Sequence, residues 1–280
     1  MSMALEVTDL CKDYPTFHLR NVSFSLEEGS IMGLIGRNGA GKTTTLKSLL
    51  GLVRPASGRI LFWGMDFADH EAEIKQRIGY VVGGTSYYQR RKIGEIAHVT
   101  RLFYQNWDDG QYRHCLDEFS LDENKCLLEL SEGMKVKFNL ALALSHHAEL
   151  LILDEPTSGL DPVSREELLE LFMDLVDRGA TILFSTHIIS DLEKCADGIT
   201  YLHEGRVLTS EGLSTFREKY RLVTHADDLS DTQKERVLGI RRNREGHTAL
   251  ILKEDVSAFT ELSPDIPDLE TIMSHLEAEE

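Results

Sequence analysis

The 280-residue sequence has no apolar run that approaches the roughly 18 residues needed to span a bilayer. Its first stretch, MSMALEVTDL, has neither a basic region nor an apolar core, so we expect no signal peptide. No internal repeat and no low-complexity tract is visible. At 41% hydrophobic and 28% charged residues, the composition is typical of a soluble globular protein. Such a chain would reach a membrane only through a partner.

Cysteine is scarce. The four cysteines form no Cys-x-x-Cys pair, and no histidine lies at zinc-binding spacing from them: Cys11, Cys115, Cys126 and Cys195. This pattern is typical of reduced, cytosolic thiols that pack inside a fold, and it argues against a disulfide framework.

Positive charge is also scarce: the 30 Lys and Arg residues are outnumbered by 47 Asp and Glu residues, and the formal net charge is −17. Contacts to a nucleic-acid backbone need a basic face, so the balance argues against a nucleic-acid partner. RRK at 90–92 and IRRNR at 240–244 are candidate basic patches, but solvated loop charge is the simpler interpretation of both.

Continuous apolar runs indicate the fold. LLILDE and TILFST lack polar alternation, which predicts strands buried on both faces of a parallel sheet flanked by helices. Short β-like runs occupy 3–35, and the apolar spacing of residues 93–103 predicts a helix. After Asp161, a plausible N-cap, Pro162 starts a helix that Gly179 ends.

The segment GRNGAGKTT follows an apolar strand and precedes a helix, and it matches the phosphate-binding P-loop pattern G-x-x-x-x-G-K-[ST]. Glycines let successive backbone N–H groups curl around phosphate oxygens, and the helix N-terminus adds partial positive charge. Lys42 would reach the β- and γ-phosphates, and the Thr43 hydroxyl would ligate Mg²⁺. The nucleotide-binding residues predicted here are Gly36, Arg37, Asn38, Gly39, Ala40, Gly41, Lys42, Thr43 and Thr44.

Two later strands end in further candidate residues. LLILDEPTSGLD delivers Asp154 and Glu155 to the carboxyl edge of the sheet, where Asp154 would hold magnesium and Glu155 would act as general base. TILFSTH ends in His187, which could be an ordinary satisfied histidine but is favoured as functional by its place. LELSEGMKVKF puts Ser131 and Gly133 at the start of an apolar helix, where backbone N–H groups could meet an anion or simply be capped.

Together GRNGAGKTT, LSEGM, LILDEPTSGLD and STH resemble the nucleotide-binding domain of an ATP-binding-cassette (ABC) transporter, over roughly three-quarters of the chain. The resemblance implies an α/β fold of the P-loop NTPase type, with a mainly parallel core sheet, an antiparallel β-subdomain and a helical subdomain. It implies an ATP-binding domain over 1–207, with helices at about 84–145, and a small C-terminal α/β extension of unknown role over 208–280.

The resemblance also implies roles. Two domains would dimerise head to tail, so that Ser131 and Gly133 contact the γ-phosphate held by the other subunit's P-loop. His187 would sense that phosphate and Asp161 would run along the dimer interface. Tyr14 would stack on adenine, with Phe17 as a possible substitute.

Three positions depart from the family pattern. Glu132 and Met134 replace a glycine and a glutamine of the common signature, and Glu132 would repel a triphosphate unless its side chain points away. Gly83 falls where a glutamine or glutamate usually lies, and Gln89 is not a convincing replacement. A glycine offers no side chain to magnesium or to the attacking water.

We therefore predict an ATPase that uses ATP and Mg²⁺, and that pairs with a copy of itself or with a related chain. It would power a separate membrane subunit, from the cytoplasmic face of the cell membrane. The C-terminal stretch resembles those of ATPases that serve small bacterial exporters of drugs, peptides or antibiotics. The alternatives are a soluble ABC-type ATPase acting on DNA or ribosomes, or a small-molecule P-loop kinase; the charge and the Ser-x-Gly signature argue against them.

Overall fold

The computed structural model describes residues 2–82, 88–224, 229–244, 246–259 and 262–277. The chain divides between Ser210 and Glu211 into two compact units, and the division falls inside the strand Arg206–Gly212. The domain boundary predicted after residue 207 lies close to this division. That boundary stays a prediction.

The first unit and the strand that crosses the division contain most of the secondary structure. The strands, numbered in chain order, are β1 (Met3–Tyr14), β2 (Phe17–Glu27), β3 (Ile31–Ile35), β4 (Ser57–Phe62), β5 (Met65–Asp66), β6 (Ile78–Val82), β7 (Leu150–Asp154), β8 (Thr181–Thr186), β9 (Gly198–His203) and β10 (Arg206–Gly212). The helices are α1 (Lys42–Leu49), α2 (Phe67–Gln76), α3 (Ile93–Arg101), α4 (Asp109–Glu118), α5 (Glu132–Ser145), α6 (Pro162–Asp177) and α7 (Ile189–Cys195).

A six-stranded sheet in the order β10-β9-β3-β8-β7-β6 forms the centre of this unit, and its pairs from β9 to β6 are parallel. Every residue of β3, β7 and β8 is buried, as the continuous apolar runs predicted. Asp154 is in register with Ser185, and Thr186 with Ile35. The ends of these strands therefore meet at one edge of the sheet.

A second, antiparallel sheet has the order β2-β1-β4-β5 and packs with α1 in one hydrophobic core. The β1–β2 hairpin ends in the pair Tyr14 and Phe17. This sheet and the parallel one confirm the predicted P-loop fold with an antiparallel β-subdomain.

Helices α3, α4 and α5, with a short 3-10 turn at Leu127–Glu129, lie between β6 and β7 in the chain. The limits predicted for a helical subdomain, 84–145, stay a prediction. One expectation here was wrong in part, because α3 ends at Arg101 and the apolar Leu102 and Phe103 lie exposed beyond it. Their side chains do not continue the buried stripe that starts at Ile93.

The second unit has a three-stranded antiparallel sheet in the order β11-β13-β12, formed by β11 (Tyr220–Val223), β12 (Val237–Asn243) and β13 (Gly246–Leu252). Its helices are α8 (Leu213–Glu218), α9 (Asp231–Lys234) and α10 (Leu269–Leu276). Helix α10 packs on β12 and β13, and it buries Leu269, Ile272 and Met273. This apolar stripe therefore belongs to the core of its own unit.

Within the ranges that the structure describes, we find no helix that combines the length and the apolarity required to cross a membrane.

Candidate active site

The P-loop joins β3 to α1, and its glycines are required by its shape. Gly36, Gly39 and Gly41 have φ angles of 153°, 87° and 113°, which side-chain-bearing residues rarely adopt. A β-carbon on Gly36 would lie 2.2 Å from the carbonyl oxygen of Leu202, and one on Gly41 would lie 2.9 Å from the Phe17 ring. The loop therefore turns tightly against β9 and the β1–β2 hairpin before α1 begins at Lys42.

The acidic end of β7 lies beside the start of α1. The Thr43 hydroxyl donates a hydrogen bond of 3.2 Å to the carboxylate of Asp154, and the Ser185 hydroxyl donates one of 2.7 Å to the same oxygen. Asp154 is almost fully buried, and these two donors satisfy the hydrogen-bonding capacity of that oxygen. Sequence reasoning placed Thr43 and Asp154 together but missed Ser185. Its one sequence signal is that it is a polar residue near the end of an otherwise apolar strand.

Glu155 follows β7 in a left-handed backbone conformation, with φ of 51°, and its carboxylate contacts two predicted site residues. One oxygen lies 3.1 Å from the ammonium group of Lys42, and the other lies 2.7 Å from Nδ1 of His187. The backbone N–H of Glu155 donates to the Ser185 hydroxyl at 3.0 Å. Lys42 also donates to the carbonyl of Gly36 at 2.8 Å. The base, the P-loop lysine and the histidine therefore form one cluster.

A cleft of about 840 Å³ opens over this cluster, within the range of ligand-binding pockets. It is lined by Tyr14, Pro15, Thr16, Phe17, Arg37, Asn38, Gly39, Gly41, Lys42, Thr43, Thr44, Glu155, Ser158 and His187. Gly36 and Ala40 belong to the P-loop but do not line the cleft, and Ala40 is buried. Sequence reasoning missed Pro15 and Thr16, which lie in no motif, and Ser158, which lies inside LLILDEPTSGLD but was given no role.

Besides Gly36, Ala40 and the buried Asp154, three predicted residues are absent from the lining of this cleft: Ser131, Gly133 and Asp161. Ser131 is the exposed N-cap of α5 and accepts a hydrogen bond from the N–H of Met134 at 3.2 Å. Asp161 caps α6 by accepting from Val163 and Ser164, as predicted. The hydroxyl and N–H of Ser164, which both donate to Asp161, lower the pKa of this carboxyl.

Of the three positions that depart from the family pattern, the structure shows the surroundings of Glu132 and Met134 but not those of Gly83. The carboxylate of Glu132 lies 2.7 Å from the ammonium group of Lys135, one helical turn along α5. Its charge is therefore paired within the same helix. Gly83 lies outside the described residues. Gln89 is exposed, and its carbonyl accepts a hydrogen bond from the N–H of Leu128.

Comparison with known proteins places this geometry in a family. Residues 19–158, half of the chain, match the family described as ABC transporter. The bacitracin transport ATP-binding protein BcrA of Bacillus licheniformis is 35% identical over 85% of this chain and 79% of the relative. The chain belongs to the ABC transporter ATP-binding proteins. It is the ATP-binding, ATP-hydrolysing subunit of such a transporter.

Two further similarities support this membership. The Nod factor export ATP-binding protein I of Burkholderia lata is 37% identical over 67% of this chain and 64% of the relative. A solved ATP-binding subunit of an ABC transporter superposes with a TM-score of 0.68 at 32% identity, covering 76% of this chain and 92% of that one. The similarity to this solved structure thus extends over about three-quarters of the chain.

Proposed function

We propose that this ABC ATPase hydrolyses ATP in the cleft over Lys42 and Glu155 and thereby drives a separate membrane subunit that exports its substrate. The carboxylate of Glu155, held between Lys42 and His187, is the observation that carries the proposal. A carboxylate that could act as a base and the ammonium group at the start of α1 thus lie together beside a loop whose shape suits phosphates, which supports the proposal.

Each residue at the cleft has a role in this proposal. The P-loop N–H groups and Lys42 bind the β- and γ-phosphates, and Tyr14 stacks on the adenine. Glu155 polarises the attacking water. His187, which contacts Glu155, faces the γ-phosphate and orients that phosphate.

Two residues at the base of the cleft, Thr43 in its lining and the buried Asp154 bonded to it, fit Mg²⁺ as a second cofactor. Thr43 and Asp154 supply a hydroxyl and a carboxylate that already lie 3.2 Å apart, and such hard oxygen donors are those that Mg²⁺ prefers. The described residues contain no cluster of three or more His, Cys, Asp or Glu able to hold a metal alone. A Mg²⁺ ion that is ligated partly by nucleotide phosphates needs no such cluster of side chains. Bound there, Mg²⁺ would neutralise phosphate charge.

The second half of the nucleotide site comes from another cassette. Ser131 and Gly133 begin α5 outside the chain's own cleft, with Ser131 exposed. A helix N-terminus attracts anions, so these residues fit the γ-phosphate held by a facing subunit. Asp161 lies at the start of α6 and would border the same interface. We propose a head-to-tail pair, formed with a second copy or with a related chain, around two ATP molecules.

Export through a membrane partner is supported by the relatives. One is named for bacitracin transport and another for Nod factor export. We propose that this chain likewise lies on the inner face of the cell membrane, bound to an integral subunit of an exporter of drug, peptide or antibiotic type. The substrate contacts would lie in that subunit.

The proposal is tested by Glu155→Gln, which keeps the shape of the side chain and removes its basicity. We expect the variant to bind ATP, to stop hydrolysing it and to elute as a stable dimer when ATP is present. Glu149→Gln is the matched control, because Glu149 precedes the other end of β7 and pairs with Arg77. It should hydrolyse ATP like the unmodified chain. A Glu155→Gln protein that stays monomeric with ATP would contradict the paired site.

A further inference from the structure

A buried polar cluster is formed by side chains that follow the proposed catalytic residues in the chain. Three side-chain atoms there are buried and have no hydrogen-bond partner within the described ranges: Thr157 Oγ1, Arg165 Nε and Asp191 Oδ2. Thr157 is fully buried and Asp191 is 1% exposed. They come from three elements, the loop after β7, helix α6 and helix α7.

These three groups complement one another chemically. Thr157 and Arg165 carry donors, and Asp191 carries an acceptor. Burial raises the pKa of the Asp191 carboxyl, while the nearby Thr157 hydroxyl and the Arg165 charge oppose that shift. The Thr157 hydroxyl is thus close to Asp191, yet the geometry of the two groups makes no hydrogen bond. Because a buried polar group without a partner destabilises the fold, a small movement that joined these groups would be favourable.

The cluster connects the two loops that carry the proposed base and the proposed phosphate sensor. Thr157 is two residues after Glu155, and Asp191 is four residues after His187. At the cleft the same loops are joined by the 2.7 Å contact between His187 and Glu155. The cluster is therefore a second connection between them, on the buried side.

We propose that Asp191 is a positioning residue for ATP hydrolysis, whose carboxylate accepts hydrogen bonds from Thr157 and Arg165 when the two loops close around ATP. The inference rests on the proposed roles of Glu155 and His187. Arg165 extends the connection to the dimer side, because its guanidinium lies 3.5 Å from the carbonyl of Leu160, next to Asp161. Closing the cluster fixes the Glu155 and His187 side chains relative to each other, which the chemical step requires and nucleotide binding does not.

The test compares single-turnover ATP hydrolysis with ATP affinity in the full-length chain. Asp191→Ala and Thr157→Val should each slow hydrolysis by roughly 10- to 100-fold, the effect of a misplaced catalytic group, and leave ATP affinity within about threefold. The double variant should lose no more than either single variant, because both remove one interaction. Asp191→Asn keeps an acceptor oxygen and should recover part of the rate that Asp191→Ala loses.

Cys195→Ala is the matched control, since Cys195 is buried one turn further along α7 and its thiol donates to the backbone carbonyl of Asp191 at 3.3 Å, not to the carboxylate. It should lower the melting temperature without the selective loss of rate. Unchanged hydrolysis in Thr157→Val and Asp191→Asn, additive losses in the double variant, or a parallel fall in ATP affinity would each overturn the inference. Glu155→Gln in the same assay separates the two proposals: if it still hydrolyses ATP, the proposed function fails, whereas an inactive Glu155→Gln beside normal Asp191 variants refutes only the positioning role.

Discussion

The ammonium nitrogen of Lys42 lies 3.1 Å from a carboxylate oxygen of Glu155, and both side chains are mostly buried. The lysine proposed to bind phosphate is thus paired with the proposed base. A triphosphate that takes Lys42 as its partner would draw the ammonium group away from Glu155 and leave that carboxylate oxygen available to the attacking water. Nucleotide binding and activation of the base are in this way coupled through one ion pair.

Replacing Lys42 with alanine should therefore affect binding before chemistry. The variant loses a charge-assisted contact to phosphate, and it leaves Glu155 as an uncompensated anion facing the nucleotide. We expect ATP affinity to fall by roughly 100-fold, which titration with a fluorescent ATP analogue would measure. Lys47→Ala, an exposed change on the same helix, should bind normally. Unchanged affinity in Lys42→Ala would remove the P-loop from the proposal.

The adenine platform is tested separately. Tyr14 lines the cleft with 36% of its surface exposed, and the ammonium group of Lys12 lies 5.4 Å from its ring centre. Tyr14→Phe should keep ATP affinity, whereas Tyr14→Ala should weaken it about tenfold, the worth of one base–aromatic stack. Phe17→Ala tests the alternative platform in the same titration. If only that variant weakens binding, the base stacks on Phe17 and the assignment of Tyr14 is wrong.

The sequence alone predicted those features whose signals are local. The P-loop glycines, the buried strands β7 and β8 and the cap of α6 at Asp161 each follow from a short pattern, and the structure has them. The end of α3 was missed because apolar residues continue past Arg101 without continuing the helix. Hydrophobic spacing does not indicate where a helix ends unless a capping residue marks that position.

Contacts between distant segments could not be predicted in the same way. Ser185 reaches Asp154 only because β8 pairs with β7 in that register. The cluster of Thr157, Arg165 and Asp191 depends on how α6 and α7 pack after two separate strands. Each of these residues looks ordinary in its own stretch of sequence, and its role follows from the three-dimensional arrangement.

Ser131 has two roles to separate, as a helix cap and as a proposed ligand of a partner's nucleotide. Ser131→Ala loses the cap to Met134, which costs about 1 kcal/mol of stability, and it should also weaken the ATP-dependent dimer of the Glu155→Gln protein. Ser131→Asp restores a good cap but brings a negative charge to the phosphate. This variant should keep its stability, but with ATP it should elute from a sizing column as a monomer.

Asp108→Ala provides the control for that experiment, because Asp108 caps α4 through Gly110 and Gln111. It should lose a similar amount of stability and still form the dimer. Dimers of normal strength in Ser131→Asp would show that this helix start does not face a phosphate.

A buried histidine provides a stability test that is independent of nucleotide. His146 is 3% exposed, and its ring stacks on Tyr104 at a centroid distance of 3.6 Å. Burial lowers the pKa of His146 from 6.5 to about 4, against a backbone contact from Nδ1 to the carbonyl of Gln76 that raises it. The folded first unit therefore holds this imidazole neutral well below the pH at which an unfolded chain protonates it.

Because the unfolded chain gains this proton first, the free energy of unfolding should fall as the pH drops from 6.5 towards 4, by on the order of 3 kcal/mol in total. His146→Phe keeps an aromatic ring against Tyr104 and cannot titrate, so it should lack this part of the pH dependence. Urea unfolding followed by the fluorescence of Trp63 and Trp107 would measure the difference at each pH. His98→Gln, at an exposed histidine of α3, is the control for removing an imidazole. Parallel curves for the unmodified chain and His146→Phe would show that the imidazole does not stay neutral in the fold.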